Sequence, residues 1–154
     1  MAAKTRTTPE RDAGDTWLAN CARRPELAHE VWEMDGLAPI HCARWLAAEA
    51  QLGTALQAVK RIPPHARGPL LLDPGLDTAW WLVPLEAAEE LADVRHISLQ
   101  PFGWPMHCPP AHRPAAGRFW LVAPDGSGRV TDPVYLAAAL GPGGGPRLPA
   151  EAFR

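Results

Sequence analysis

The fold class is decided by one stretch of the sequence, Pro69-Leu-Leu-Leu-Asp73-Pro-Gly-Leu-Asp77-Thr-Ala-Trp-Trp-Leu-Val83. Two apolar runs flank a Pro-Gly turn, and this pattern predicts a β-hairpin with a four-residue loop. Successive side chains of a strand point to opposite faces of a sheet, and both runs are apolar on both faces. We therefore expect both faces of the sheet to be covered by other parts of the chain. The hairpin also excludes a purely parallel sheet.

Helices and shorter strands are predicted on either side of the hairpin. Apolar residues at helical spacing indicate helices, and Pro and Gly mark where they begin and end. Before the hairpin the pattern predicts helices over Asp15–Arg24 and Glu26–Met34, a strand over Pro39–Trp45 and a helix over Leu46–Ile62. After the hairpin it predicts a helix over Leu85–Val94, strands over Arg95–Leu99 and Arg118–Ala123, an extended segment at Trp104–Cys108, and a last helix capped by Thr131 or Asp132 and ended by Gly141.

These elements predict a single α+β domain. A chain of 154 residues is the right length for one domain. We assign the domain to residues 15–141, as a mixed, largely antiparallel sheet with helices packed on it. Residues 1–14 are polar and lack periodicity, which predicts a disordered N-terminal tail. Residues 142–154 are predicted to form a Gly/Pro-rich C-terminal tail.

Composition excludes several classes of protein. No apolar run reaches the roughly 18 residues of a transmembrane helix, and the first residues lack the apolar core of a secretory signal, so we expect no membrane partner. The three cysteines, an odd number in a chain with a core, indicate reduced thiols and a cytoplasmic location. Lys and Arg number 15 against 17 Asp and Glu, and the net charge of −2 argues against strong non-specific binding to nucleic acid.

A local cationic and aromatic region contrasts with this near-neutral average. The sequence contains no acidic residue between Asp93 and Asp125. Arginine binds phosphate oxygens and aromatic rings stack on bases. The region therefore predicts a binding surface for nucleic acid, a nucleotide or a protein partner, with the candidate residues Arg95, His96, Trp104, His107, Arg113 and Arg118. The alternative is that the aromatic rings lie in the core and the arginines in solvent.

Two aspartates of the hairpin are candidates for catalysis. Two-metal catalysis of nucleotidyl transfer needs carboxylates that converge on the ions. Asp73 and Asp77 flank the turn and would be the metal ligands. Their alternative role is structural, because aspartate in a turn bonds the local backbone N–H groups.

Histidine and cysteine occur together at two places, His41-Cys42 and His107-Cys108, with His112 close to the second pair. These are zinc-ligand types, but neighbours on a strand point to opposite faces, which favours core cysteines beside surface histidines. Cys108 near a histidine is also a candidate nucleophile, or a half-buried cysteine. We predict no catalytic residue, no metal ligand and no cofactor from these motifs.

Several short phrases of the sequence together resemble a known family. They are Glu30-Val-Trp32, Arg67-Gly-Pro69, Leu72-Asp-Pro74, Trp81-Leu-Val-Pro84, Pro109-Pro110, and Trp120 followed by Pro124-Asp-Gly126. Across roughly residues 27–140 the chain resembles short actinobacterial proteins described as primase/polymerase-like. The resemblance implies a reduced version of a primase–polymerase α/β module.

The resemblance also implies which residues catalysis would need. Active members of the family use a strand with an Asp-x-Asp pair, followed by a histidine and a further acid. Here the strand ends in Asp73-Pro74-Gly75, with a single acid, and no histidine occupies Trp80-Trp81-Leu82. The resemblance therefore implies a non-catalytic binding or regulatory module. The alternative is a metal-dependent nucleotidyl-transfer enzyme with Asp73 and Asp77 as metal ligands.

Overall fold

Five α-helices and seven strands occur in the residues that the computed structural model describes, 8–41 and 43–141. The helices are α1 (Thr8–Ala19), α2 (Pro25–Glu33), α3 (Leu52–Val59), α4 (Ala88–Leu91) and α5 (Pro133–Ala139). The strands are β1 (Ala38–Ile40), β2 (Trp45–Gln51), β3 (Leu70–Asp73), β4 (Thr78–Pro84), β5 (Ser98–Leu99), β6 (Met106–Cys108) and β7 (Phe119–Val122). Within these ranges, none of the helices combines the length and the apolar character that crossing a membrane requires.

The predicted hairpin forms the centre of the larger sheet. β3 and β4 pair antiparallel, with Leu71 opposite Trp80. Five strands follow the order β5-β2-β4-β3-β7, and each neighbouring pair is antiparallel. β1 and β6 form a separate antiparallel pair. The predicted α+β class with a largely antiparallel sheet is confirmed.

Both faces of the sheet are buried, as the hairpin sequence predicts. On one face Leu70 and Trp81 belong to an apolar cluster that includes residues of α3, α4 and α5. On the other face Leu71 and Trp80 belong to a second cluster, which includes residues of α1, α2 and the β1–β6 pair. The sheet is therefore the middle of three layers, and burial on both faces explains why both hairpin arms are continuously apolar.

The helix predicted over Leu46–Ile62 is wrong for its first six residues, which belong to strand β2. Trp45–Gln51 is a strand between β4 and β5, and α3 begins only at Leu52. Alanine has the highest intrinsic helix propensity, but tertiary packing overrides it here. Ala48 is fully buried opposite Trp81, and its small side chain leaves room for the neighbouring indole.

Three other predicted elements are shorter than expected. The strand predicted over Pro39–Trp45 is replaced by the three residues of β1. The helix predicted over Leu85–Val94 consists of one 3-10 turn and the four residues of α4, whose N-terminus has no side-chain cap. The strand predicted over Arg95–Leu99 is reduced to β5, so Arg95 and His96 precede the strand.

The N-terminal helix begins earlier than predicted. It starts at Thr8, so residues 8–14 are helical and not part of a tail. Pro9 stands in the first turn, where its missing N–H removes no helical hydrogen bond and its fixed φ suits the helix. Residues 1–7 and the predicted tail at 142–154 lie outside the described residues.

Candidate functional site

The structure divides the six predicted binding residues among three places. Two lie just before β5, one contacts the C-terminal end of α2, and three are connected through Arg118 and the Trp80 ring. Arg95 and His96 are the two before β5, and Arg113 is the one at α2. Trp104, His107 and Arg118 are the three that are connected. The six residues therefore do not form one continuous surface.

Arg118 is occupied by contacts within the protein. Its Nε donates to Oδ2 of Asp73 at 2.8 Å, and its Nη1 donates to the carbonyl oxygen of His107 at 2.7 Å. The guanidinium also lies 4.6 Å from the centre of the Trp80 ring, which is cation–π geometry. These contacts leave little of the side chain for a ligand and make Arg118 a connector between β7, β3 and β6.

Arg113 is also occupied by contacts within the protein, at the C-terminal end of α2. Its Nη1 donates to Oδ1 of Asp35 at 2.6 Å, and its Nη2 donates to the carbonyl oxygen of Trp32. The neighbouring His112 contacts Asp15, with Nδ1 at 2.7 Å from Oδ2. Acids from distant parts of the chain therefore pair with Arg113, Arg118 and His112. The net positive charge of this stretch is smaller in the folded protein than its composition indicates.

The tryptophans are core residues rather than a contact surface. Four of the seven are buried and three are half-buried. The rings of Trp80 and Trp104 pack with their centres 6.5 Å apart. Trp120 donates its indole N–H to the carbonyl oxygen of Pro109. Base stacking by exposed indoles, which the sequence suggested, therefore has no surface in the described residues.

Arg95 and His96 line an open polar cleft of about 400 Å³. Acidic side chains line the same cleft, namely Glu49 and Asp77. Gln51 donates through Nε2 to both carboxylate oxygens of Asp77, at 2.9 and 3.1 Å. Because acids and cations line this cleft together, its charge does not favour a phosphate.

The two hairpin aspartates make separate local contacts. Asp73 accepts a hydrogen bond from the Leu76 N–H at 3.1 Å and pairs with Arg118. Asp77 is exposed, bonds to Gln51, and adopts a left-handed φ of 54° at the end of the turn. In the part of the chain that the structure describes, no three His, Cys, Asp or Glu side chains are grouped to hold a metal ion. These contacts support the turn-residue interpretation.

The second His-Cys pair points to opposite faces of its strand. His107 is exposed and Cys108 is fully buried in the core. Burial raises the pKa of the Cys108 thiol, an effect that the positive charge of Arg118 opposes only in part. A thiol held in its protonated form is a poor nucleophile. Cys42, in the first pair, lies outside the described residues.

An apolar cleft that the sequence did not predict lies between α2 and β1. We call it the α2–β1 cleft; its volume is about 200 Å³. Its walls are formed by Leu27, Ala28 and Val31 of α2 and by Ala38 and Pro39 of β1. The three helical residues share one face at helical spacing. The small Ala28 and Ala38 leave the space unfilled, a consequence of packing that hydrophobic periodicity does not reveal.

Two arginines and a histidine also line this cleft. Arg23 and Arg24 precede α2, and His41 follows β1. Arg24 approaches Glu26 only at 3.9 Å, with both side chains about 70% exposed, so that ion pair is weak. The sequence analysis assigned no binding role to these adjacent arginines, although a pair of neighbouring cations is the signal that could have drawn attention to this site.

His41 is the unusual polar residue of the cleft. Its Nδ1 atom is buried and has no hydrogen-bond partner among the described residues. Burial, and then the charges of Arg23 and His107, lower the pKa of the imidazole. A buried polar atom without a partner costs free energy, and because this nitrogen is closed to solvent it does not open onto the cleft.

Comparison of the chain with protein-family models, with curated proteins and with solved structures returned no match in any of the three. The primase/polymerase-like resemblance therefore stays a prediction from the sequence.

Proposed function

We propose that the protein is a non-catalytic binding module, and that the α2–β1 cleft receives an apolar side chain from an acidic segment of a partner protein. The observation that carries this proposal is an apolar floor with a cationic rim. Arg23 and Arg24 line the cleft together with apolar side chains, and among the residues that the structure describes no acidic one lines it.

The size of the cleft favours a peptide side chain over a small-molecule ligand. Sites for drug-sized ligands usually measure roughly 300–1,000 Å³, whereas this cleft measures about 200 Å³. One large aliphatic side chain fits such a volume. Protein interfaces commonly depend on a few anchor side chains of this kind, seated in a desolvated pocket.

The charge of the rim favours an acidic partner. No acidic side chain among the described residues forms an ion pair with Arg23, and the pair formed by Arg24 is exposed and long. Both guanidinium groups are therefore available to carboxylates on the partner. Complementary charges at a rim mainly raise the association rate and select the partner.

The lining of the cleft favours a peptide over a nucleotide. A nucleobase binds best against an aromatic ring, and no Trp, Phe or Tyr of the described ranges 8–41 and 43–141 lines this cleft. Its walls are aliphatic, which suits the side chain of leucine, isoleucine or methionine. Nucleic acid and nucleotide binding stay predictions from the sequence, and the peptide is the ligand that this site supports best.

The proposal is tested by fluorescence anisotropy with two labelled peptides. The acidic probe is Asp-Glu-Leu-Leu-Glu-Asp and its control is Lys-Lys-Leu-Leu-Lys-Lys. We expect saturable binding of the acidic probe, which weakens as salt is added, and none of the basic control. Equal affinity for the two peptides, or no saturable binding of the acidic one at millimolar protein, overturns the proposal.

Matched variants locate the binding. Leu27 lines the cleft and Leu85 does not, and their exposed fractions are nearly equal at 40% and 42%. We expect Leu27→Asp to abolish binding and Leu85→Asp to preserve it. The pair Arg23→Gln and Arg24→Gln should weaken binding roughly fivefold, whereas the exposed pair Lys60→Gln and Arg61→Gln should not. Equal losses in the matched variants would contradict binding at this cleft.

A further inference from the structure

We infer that the partner segment binds at the α2–β1 cleft in an extended conformation, along the free edge of β1. One main-chain N–H of the segment donates a hydrogen bond to the carbonyl oxygen of Pro39, while an apolar side chain of the same segment enters the cleft. This inference rests on the function proposed above, and it adds the conformation of the partner and the main-chain group that the protein recognises.

The first argument is the hydrogen-bond pattern of the β1–β6 pair. Antiparallel strands alternate between residue pairs that exchange main-chain hydrogen bonds and pairs that do not. Pro39 lies opposite His107, and proline has no N–H to exchange. Pro39 and His107 therefore form a pair without hydrogen bonds between them, and their carbonyl groups point away from each other, toward the two outer edges.

The contacts at the two edges agree with this orientation. On β6 the carbonyl oxygen of His107 accepts a hydrogen bond from Nη1 of Arg118 at 2.7 Å. The matching carbonyl oxygen on β1 is that of Pro39, and it accepts no hydrogen bond from another described residue. In the described ranges β1 pairs with β6 alone. The Pro39 carbonyl is therefore an acceptor on an open strand edge.

The second argument is that this edge runs beside the cleft. Ala38 and Pro39 are neighbours on a strand, so their side chains point to opposite faces, yet both residues line the cleft. A space that both neighbours line follows the edge of the strand rather than one face. Because β6 covers the other edge, the cleft lies along the free one. Pro39 is exposed, so a segment whose side chain enters the cleft can bring its main chain to this oxygen from solvent.

The third argument concerns which chain fits the edge. Open strand edges bind extended peptides through main-chain hydrogen bonds, and pockets beside them select the side chains. At Pro39 the edge accepts a hydrogen bond but cannot donate one. Two copies of β1 cannot satisfy each other at this position, because both offer only acceptors, and proline protects strand edges against self-pairing. The occupant is therefore a segment of a different protein, and Arg23 and Arg24 beside the cleft favour an acidic one.

The experiment removes single N–H groups from the ligand and leaves the whole protein unchanged. Each amide of the acidic probe Asp-Glu-Leu-Leu-Glu-Asp is replaced in turn by an ester, which keeps the course of the chain but has no N–H. Fluorescence anisotropy measures the affinity of each ester. We expect one ester to bind about fivefold more weakly, the effect of one lost hydrogen bond. The esters on either side of it should change affinity by less than about twofold, because adjacent N–H groups of an extended chain point to opposite sides.

A second measurement identifies the acceptor on the protein. The NMR shift of the Pro39 carbonyl carbon should change when the unmodified peptide is added, and it should change less with the weakest-binding ester at equal saturation. The control is the carbonyl carbon of His107, whose oxygen already accepts from Arg118, and its shift should stay constant with both ligands. Equal changes at Pro39 with the two ligands overturn the inference.

The outcomes distinguish this inference from the proposed function. The inference is overturned, and the proposed function stands, if Leu27→Asp abolishes binding of the unmodified peptide but no ester weakens that binding by more than about twofold. An equal loss with every ester also overturns it, because a single hydrogen bond cannot cause such a pattern. Absence of saturable binding by the unmodified peptide contradicts the proposed function itself, and the inference falls with it.

Discussion

Arg118 and Asp73 form an ion pair between the start of β7 and the end of β3, with Nε at 2.8 Å from Oδ2 and side chains only 13% and 12% exposed. The same carboxylate stabilises the hairpin turn by accepting a hydrogen bond from the Leu76 N–H. The same guanidinium bonds the His107 carbonyl oxygen and lies over the Trp80 ring. One ion pair therefore connects the hairpin turn, an edge strand and the β1–β6 pair.

Removing this arginine should destabilise the fold. Arg118→Ala leaves the Asp73 carboxylate nearly buried without its counter-ion, and we expect the free energy of unfolding to fall by about 2–3 kcal/mol. Urea denaturation measures the change. The control is Arg95→Ala, an exposed arginine outside these contacts, which should change stability by less than about 0.5 kcal/mol. Equal small effects in both variants would contradict the connecting role of Arg118.

The arginines show where sequence reasoning about the site reaches its limit. The absence of nearby acids identified Arg113 and Arg118 as unusual, and both do make specific contacts. Their partners Asp35 and Asp73 are distant in the sequence, so the linear distribution of charge could not reveal them. The α2–β1 cleft was hidden for a related reason, because an unfilled space depends on how two elements pack.

A substitution in β2 tests the packing that converts an alanine-rich segment into a strand. Ala48 is fully buried opposite Trp81. Ala48→Leu adds volume where the indole already fills the layer, and we expect a loss of about 1–3 kcal/mol in the free energy of unfolding. Ala92→Leu, at an exposed position after α4, is the control. If thermal unfolding shifts equally in the two variants, the tight packing at Ala48 is refuted.

The hairpin and β2 show which parts of the fold the sequence predicts. Pro69–Val83 carries its own signals, because a turn with Pro and Gly separates two apolar runs, and its covered faces follow from its composition. The alanine-rich composition of Trp45–Gln51 is typical of a helix. This segment is a strand because it pairs with its neighbours in the sheet. Local patterns thus predicted the centre of the sheet, whereas the strand beside it depended on tertiary contacts.

A buried threonine holds the segment before α5 against the segment before β3. Thr131 is fully buried, and its Oγ1 accepts a hydrogen bond from the Gly68 N–H at 2.9 Å. Thr131→Val keeps the shape of the side chain but leaves that N–H without an acceptor, which should cost about 1–3 kcal/mol. Urea denaturation is compared with the exposed Thr16→Val. An unchanged midpoint in Thr131→Val would show that the hydrogen bond contributes no stability.

The thiol of Cys108 should be unreactive in the folded protein. Its side chain is fully buried in the core, and burial raises its pKa. An ordinary cysteine has a pKa near 8.5 and is partly ionised at about pH 8, whereas the raised pKa keeps Cys108 protonated there.

Since the thiolate is the reactive form, iodoacetamide at that pH should leave Cys108 unmodified in the native protein and alkylate it in urea. Peptide mass mapping measures the modification at this residue alone, and the unfolded chain is the control. Native alkylation at the rate seen in urea would contradict the burial of Cys108 and return it to consideration as a nucleophile.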